Sequence, residues 1–308
     1  MSETRAVARR VVITGLGTVN PLGLDVASAR EGLREGRGGI GPISPFDANA
    51  FPGRFAGEVK GFDPSDLPDP HAARRMDRCS RFAVHAAVEA VRDGGLGFSA
   101  GGPYRRGVVR GESDVMLSGG SEAAIKPMGL GGFVSARALS TRNHAPAAAS
   151  RPFDRDRDGF VLSEGAGVVL EELEQGRRRG ARIYRELTGF GRTNDAHGIA
   201  APDPEGRGAV RAIQLALEDA GLDPGDIDCI NAHATRTALG DGRGAAESVG
   251  RRDDAPCGGP LDRTDHDDLG AEPEEGRASG PLRRSGSNRP LSVGLQEHLE
   301  PASTRRVS

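Results

Sequence analysis

The sequence predicts an α/β protein, because short apolar strands alternate along the chain with helices of amphipathic spacing. Apolar runs that stop at glycine indicate the strands, and apolar residues three or four positions apart indicate the helices. With 308 residues, the chain is long enough for one large domain or two medium ones.

The predicted elements alternate from residue 10 to residue 230. Strands are placed at 10–14, 114–118, 160–162 with 167–170, and 227–230. Helices are placed at 27–36, 77–93 and 208–220, each with a glycine at or just after its end. The stretch 46–70 carries four prolines, so a loop is predicted there.

The composition excludes several kinds of partner. A formal net charge of −3 provides no basic surface for nucleic acid. No apolar run approaches the length of a membrane span or a signal sequence, so we expect no membrane partner and a cytoplasmic location. The three cysteines, Cys79, Cys229 and Cys257, are too far apart for a disulfide framework or a metal site, and no cofactor is expected.

The C-terminal segment 251–308 differs in composition from the rest of the chain. It contains no aromatic residue, no isoleucine and no methionine. Such a segment buries too little apolar surface to offset the entropy of ordering its backbone, so it is predicted to be disordered.

Two short motifs favour ordinary turns over ligand sites. Gly15-Leu-Gly17 follows a strand, but Asn20 stands where a dinucleotide-binding fingerprint has its third glycine, so a tight turn is predicted. The acidic stretch 154–159 begins like a calcium loop, yet its twelfth position is Gly165 and Glu164 comes one residue early. We expect its carboxylates to pair with the neighbouring arginines.

His233 is the candidate catalytic residue. The apolar run 227–230 leads to it, and hydroxyls and glycine follow, as where a strand end presents a side chain to a cleft. A single histidine in such a place is more often structural than catalytic, so both interpretations stay open. His85 falls in an apolar helical pattern and is expected to be packed, and Cys79 and Cys229 are expected to act as small apolar residues.

Several short motifs occur one after another between residues 9 and 250. The segments are 9–17, 43–47, 55–57, 75–77, 114–122, 131–140, 151–167 and 231–237, of which 151–167 is the longest. In combination they resemble the elongating β-ketoacyl-acyl-carrier-protein synthases, of the synthase II type in the thiolase superfamily. The last segment, Asn-Ala-His233-Ala-Thr-Arg-Thr237, is similar to the family's Asn-Ala-His-Gly-Thr-Ser-Thr.

The resemblance implies a thiolase-like fold, in which two related α/β halves with mixed sheets enclose buried helices. The halves are expected at 1–190 and 191–250. The implied reaction condenses an acyl thioester with malonyl-acyl-carrier protein in fatty acid or polyketide synthesis. His233 would donate a hydrogen bond to the malonyl thioester oxygen. Thr235 and Thr237 would bind the pantetheine arm, and Phe133 would lie near the acyl pocket.

The resemblance also implies missing parts. The family places a strand and a cysteine-bearing helix where this chain has only 97–112, and a second histidine and a lysine where the 251–308 tail stands. Both halves are therefore predicted to be incomplete, and the chain is predicted to be inactive in condensation. Two alternatives remain: a non-catalytic partner subunit of a ketosynthase, and a truncated or frameshifted product. Acyl carrier protein is the expected partner, and the resemblance leaves both a homodimer and a ketosynthase heterodimer open.

Overall fold

A computed structural model of the chain describes residues 10–96, 115–197, 203–227 and 230–231. Its strands are β1 Val11–Val19, β2 Ile40–Pro42, β3 Phe55–Gly57, β4 Val115–Glu122, β5 Gly165–Glu172 and β6 Arg185–Leu187. Its helices are α1 Val26–Arg34, α2 Pro70–Ala73, α3 Arg78–Asp93, α4 Pro127–Ser135, α5 Leu173–Arg178 and α6 Arg207–Ala220. The described residues fall into two compact units, one over 10–188 and one over 189–231.

The first unit is built on a four-stranded sheet in the order β4-β5-β1-β6. Every neighbouring pair in it is antiparallel. Ile13 of β1 lies opposite Leu170 of β5 on one side and Arg185 of β6 on the other. The central strand β1, at the start of the described chain, therefore depends on partners from the far end of the same unit.

Helix α3 packs closely on β1 because two glycines face it. A Cβ built on Gly15 would lie 2.2 Å from the carbonyl oxygen of Ala90, and one on Gly17 would lie 1.9 Å from that of Ala86. No other residue fits at these distances. The predicted tight turn at 15–17 is wrong, since both glycines lie inside β1.

Carboxylates of α3 complete the attachment to β1. Glu89 accepts hydrogen bonds from the amides of Thr18 and Val26, at 2.8 and 2.7 Å. Asp93 accepts one from the amide of Leu16 at 2.8 Å. The β1–β5 register is irregular in this stretch, so Asp93 and Glu89 satisfy the Leu16 and Thr18 amides of an interrupted ladder, while the Val26 amide belongs to the first turn of α1.

The second unit repeats this packing with different residues. A Cβ built on Gly189 would lie 2.1 Å from the carbonyl oxygen of Ala216, and one on Gly191 would lie 1.9 Å from that of Ala212. Both alanines are on α6, four residues apart like Ala86 and Ala90 on α3. Both units thus bring a helix onto a Gly-x-Gly segment in the same way.

The likeness extends to the flanking residues. Thr-Gly-Leu-Gly-Thr-Val-Asn at 14–20 corresponds to Thr-Gly-Phe-Gly-Arg-Thr-Asn at 188–194. The amide of Phe190 donates to Asp219 at 3.1 Å, as that of Leu16 does to Asp93. In each case the acceptor comes three residues after the second helix alanine. The two units are therefore related structures.

The described residues confirm most of the predicted elements with shifted ends. The helices at 27–36, 77–93 and 208–220 correspond to α1, α3 and α6, and the strand at 114–118 to β4. The strand predicted at 160–162 is only a single bridge between Leu139 and Phe160. Ile227 and Ile230 lie outside any strand, while 228–229 and 251–308 are outside the described residues. No helix within the described part of the chain is long and apolar enough to cross a membrane.

Candidate functional site

Phe133 lies in an apolar wall built on α4. The helix begins at Pro127, which suits a first turn because proline has no amide hydrogen to leave unpaired. Phe133 meets Phe160 edge to face, with ring centroids 5.2 Å apart. The wall joins these rings to a cluster whose buried members are Ala56, Ile125, Leu130, Leu139 and Leu162.

A polar contact fixes the chain that leads into Phe160 of this Phe133 wall. The hydroxyl of Ser140 donates to Asp158 at 2.7 Å, and the amide of Thr141 donates to the same carboxylate at 3.0 Å. Gly159 follows with φ of 139°, and a Cβ there would lie 2.5 Å from the carbonyl carbon of Leu139. Only glycine fits at position 159, so the backbone conformation that leads into Phe160 is fixed.

A second polar contact joins α3 to the chain just before β5. Glu164, whose side chain is 3% exposed, accepts a hydrogen bond from Arg78 at 3.0 Å and one from the amide of Val59 at 3.2 Å. Arg78 also donates to the carbonyl of Val59 at 2.7 Å and lies over the ring of Phe82. The buried carboxylate is thus paired with a cation and satisfied by hydrogen bonds.

Sequence reasoning missed both polar contacts. Ser140 and Asp158 are 18 residues apart, and Arg78 and Glu164 are 86 apart. No local spacing marks pairs at such separations. The only available signal was the motif 151–167 itself, which contains one carboxylate of each contact.

The acidic loop at 154–158 is held by its own neighbours. Arg151 donates to Asp154 at 2.7 Å, and this hydrogen bond is the main reason why the pKa of Asp154 is lowered. Asp154 also accepts from the amide of Asp156 at 2.7 Å. Within the described residues, no three histidine, cysteine, aspartate or glutamate side chains form a metal-binding group. Asp154 thus pairs with a neighbouring arginine, as the sequence predicts, whereas Asp158 accepts from Ser140 and Thr141.

Cys79 is the one cysteine among the described residues, and its surroundings are structural. It occupies the second position of α3 and packs against a buried cluster that contains Val19 and Phe82. Its thiol donates to the carbonyl of Ser121 at 3.4 Å, and the hydroxyl of Ser121 donates back to the carbonyl of Cys79 at 2.7 Å. The expectation that Cys79 acts as a small apolar residue is confirmed.

The structure describes His85 but not His233. His85 lies on α3 with Nε2 2.8 Å from the carbonyl of Leu24 and its ring against Phe62, so the expected packing is confirmed. His233, Thr235 and Thr237 lie outside the described residues. Of the predicted site residues, Phe133 alone is placed by the structure.

The Phe133 wall is apolar, and its own side chains include no nucleophile and no acid–base group. The Phe133 wall presents aromatic and aliphatic carbon, which favours contact with an alkyl chain. Asp158, two residues before Phe160, already accepts from Ser140 and Thr141. A nucleophile and an acid–base group would have to come from other parts of the chain.

Comparison with known proteins identifies the class and then the family. The fold is of the thiolase type: the structure of the ishigamide ketosynthase/chain length factor matches with a TM-score of 0.70 and 29% identity, covering 81% of this chain and 79% of that one. The structure of AntDE:AntF, a type II polyketide synthase acyl-carrier protein in complex with its ketosynthase, matches with a TM-score of 0.68 and 26% identity, covering 78% and 77%.

Sequence comparison agrees. The N-terminal domain of β-ketoacyl synthases matches residues 8–100 and 97–176, and the C-terminal domain matches 184–250. The 3-oxoacyl-[acyl-carrier-protein] synthase 2 of Synechocystis sp. is 40% identical over 309 residues, which cover 76% of this chain and 74% of the relative. The chain belongs to the β-ketoacyl synthase family.

The match also shows that part of the N-terminal domain is skipped. The alignment with the Synechocystis relative is 309 residues long, yet it takes in only 76% of a chain of 308 residues. A sizeable share of the aligned positions therefore has no counterpart in this chain. The N-terminal domain matches in two pieces that meet at residues 97–100. The skip therefore falls between α3 and β4, where the sequence predicts missing parts.

Proposed function

We propose that this chain is a β-ketoacyl-acyl-carrier-protein synthase homologue that binds acyl-carrier-protein thioesters and does not itself form the carbon–carbon bond. The relatives named 3-oxoacyl-[acyl-carrier-protein] synthase 2 and the carrier-protein complex of a structural neighbour support the substrate class. The surroundings of Cys79 support the second part of the proposal, that the chain does not form the carbon–carbon bond. Its thiol donates to the backbone carbonyl of Ser121 and packs against a core cluster, and neither contact would activate it as a nucleophile.

The parts that remain have defined roles in the proposal. The Phe133 wall would contact the acyl chain, and Thr235 and Thr237 would hold the pantetheine arm. A neutral imidazole at His233 would donate to the malonyl thioester oxygen, where charge develops as carbon dioxide leaves. Ala234 and Arg236 stand where the family has glycine and serine, so these side chains would add bulk and charge beside the threonines.

A transfer assay tests the proposal. The purified chain is incubated with acyl-carrier protein labelled in its acyl group, and protein-bound label is measured after denaturation. No acyl-enzyme is expected, because covalent catalysis needs a nucleophile placed in the cleft. A stable thioester, abolished by Cys79→Ser, would overturn the proposal. Binding of unlabelled acyl-carrier protein, measured separately by calorimetry, distinguishes a chain that binds without reacting from one that does neither.

The likeness to a ketosynthase/chain length factor structure favours one alternative, a non-catalytic partner subunit. Such a subunit would co-purify with an intact ketosynthase and change the length of its products. Co-expression with an intact ketosynthase from the same source, followed by affinity purification of either chain, tests this alternative. Independent migration of the two chains would contradict it.

The end of the family match favours a second alternative, a frameshifted product without function. The C-terminal domain match stops at residue 250, where the composition changes. Translation of the coding region in the other two frames beyond codon 250 tests it. Gly-His-Leu and Gly-Phe-Gly motifs are expected there under this alternative, and their absence from both frames would exclude it.

A further inference from the structure

A surface segment that runs from the end of α5 to the start of β6 concentrates positive charge. Residues 177–185, called the arginine segment below, contain five arginines and no aspartate or glutamate. Arg177, Arg178, Arg182 and Arg185 are exposed. The formal net charge of −3 is an average over the whole chain, so it hides a local surface that attracts anions.

The arginine segment is attached to α3 and to the sheet at fixed points. Arg179 donates to the carbonyl of Gly94, the residue that follows α3. The hydroxyl of Tyr184 donates to Asp93 at 2.9 Å, and the amide of Tyr184 donates to the carbonyl of Ile13 at 2.8 Å. Because the segment is already ordered, an anion that binds it does not have to order it first.

Three of the arginines contact only neutral groups. Arg178 donates to the amide oxygen of Gln175 at 2.9 Å, and Arg185 donates to the carbonyl of Tyr184 at 2.8 Å. The guanidinium carbon of Arg182 lies 4.4 Å from the centre of the Tyr184 ring. Within the part of the chain that the structure describes, no carboxylate pairs with these three arginines, and the nearby glutamates pair with other arginines. Three positive charges are therefore available to a partner.

An aliphatic side chain among these charges indicates which kind of anion fits. Ile183 follows Arg182 and is 40% exposed. Single-stranded nucleic acid stacks on open aromatic faces, but Arg182 covers one face of Tyr184 and Asp93 holds its hydroxyl. An aliphatic residue among arginines suits the surface of a bilayer, where acyl chains lie beneath the phosphates.

We propose that the arginine segment binds the surface of an anionic phospholipid bilayer. Arg178, Arg182 and Arg185 contact the lipid phosphates, and Ile183 enters the boundary between headgroups and acyl chains. Guanidinium groups suit this role because their paired donors match two phosphate oxygens. The expected absence of a membrane partner rests on the length of apolar runs, which a peripheral contact does not need. Three charges and one aliphatic side chain make the contact reversible.

Sedimentation with vesicles tests the proposal on the full chain. The chain should co-sediment with vesicles of equal parts phosphatidylglycerol and phosphatidylcholine, and not with phosphatidylcholine alone. Arg182→Gln combined with Arg185→Gln should lower the partition coefficient about 25-fold, since each cation at an anionic surface contributes about fivefold. Arg34→Gln combined with Arg37→Gln is the matched control, because it removes the same charge from exposed positions at the end of α1. Equal partition coefficients for the two double variants would overturn the proposal.

Fluorescence reports the contact at a single position, because the chain contains no tryptophan. The emission of Ile183→Trp should move to shorter wavelength with the anionic vesicles, and that of Leu33→Trp, at a position 64% exposed on α1, should not. Equal shifts would indicate nonspecific adsorption and overturn the proposal. A single-stranded oligonucleotide that shifts the Ile183→Trp emission where the vesicles do not would assign the segment to nucleic acid, with the same consequence. None of these outcomes depends on carrier-protein binding.

Discussion

Replacing Gly17 by alanine should destabilise the chain by about 3 kcal/mol. The added Cβ would lie 1.9 Å from the carbonyl oxygen of Ala86 and 2.7 Å from the amide nitrogen of Ala90. Both neighbours are backbone atoms of α3, so no flexible side chain can turn away. The helix itself has to move from β1.

The size of the movement sets the magnitude. An ordinary carbon–oxygen contact is about 3.3 Å, so α3 must retreat by about 1.4 Å at this point. A gap of about 0.5–1 Å already removes a quarter to a half of the dispersion attraction between facing atoms. The face that would lose contact contains Phe82, Ala86 and Ala90, each at most 1% exposed. This loss corresponds to the upper part of the range for overpacked cores.

Urea unfolding followed by far-UV circular dichroism measures the effect as a change in the free energy of unfolding. Gly191→Ala is the parallel variant, since its Cβ would lie 1.9 Å from the carbonyl of Ala212, and a similar loss is expected. Gly38→Ala is the neutral control, because nothing lies within 4 Å of a Cβ there. If Gly17→Ala unfolds within about 0.5 kcal/mol of the wild type, the close approach of α3 to β1 is refuted.

Three further substitutions probe single contacts. Arg137 follows α4 with φ of 52°, so Arg137→Gly should stabilise the chain by about 0.5–1 kcal/mol, measured as an increase in Tm. Thr14→Val should stabilise by about 1 kcal/mol in urea unfolding, because the Thr14 hydroxyl is fully buried without a partner among the described residues. Asp203 accepts from Arg207, which lowers the pKa of Asp203 to about 2. Its stabilising effect should be complete above about pH 4 and be lost as the pH falls toward 2, and Asp203→Asn should unfold with less dependence on pH in that window.

Each of these expectations has its own contrary result. A lower Tm for Arg137→Gly would mean that the arginine side chain contributes more than its backbone costs. Thr18→Val is the control for the threonine, because the Thr18 hydroxyl accepts from Asn20 at 3.1 Å, and its loss should not stabilise. Parallel pH curves for Asp203→Asn and the wild type would contradict the pairing with Arg207.

The sequence predicted the elements that are determined by residues close together in the chain. The helices α1, α3 and α6 follow from apolar spacing and from their ends, where Asp25 caps α1, Asp77 caps α3 and Gly221 closes α6 with φ of 65°. The helix α4 was missed because its sequence, Pro-Met-Gly-Leu-Gly-Gly-Phe-Val-Ser, has three glycines and little amphipathic spacing. Tertiary contact overrides that weak propensity, since Leu130 is 1% exposed.

The glycine pair at 15–17 was misjudged for a related reason. Glycine after an apolar run usually ends a strand, and only the helix packed above it shows why these glycines continue one. The second copy of the pattern, at 188–194, was visible as Thr-Gly-x-Gly-x-x-Asn in both places. This internal repeat predicts two related units from the residues alone, independently of the family resemblance.

The candidate site was predictable only as a list of positions. The resemblance named Phe133, and the structure places it in an apolar wall, while its place near an acyl chain stays a prediction. The contact beside this wall, Ser140 with Asp158, and the contact that joins α3 to the chain before β5, Arg78 with Glu164, each link distant parts of the chain. Such pairs are fixed by the fold, so no spacing rule finds them.

The pairing of β1 determines when the first unit is able to assemble during synthesis. Val11 lies opposite Glu172 and Leu187, so β1 leaves the ribosome long before either of its partners has been made. At roughly 5–20 residues per second, this delay is on the order of 10–30 s. Throughout that time the run Val11-Val12-Ile13 has no strand to pair with, and a nascent chain in this state is a substrate for chaperones that bind exposed apolar segments.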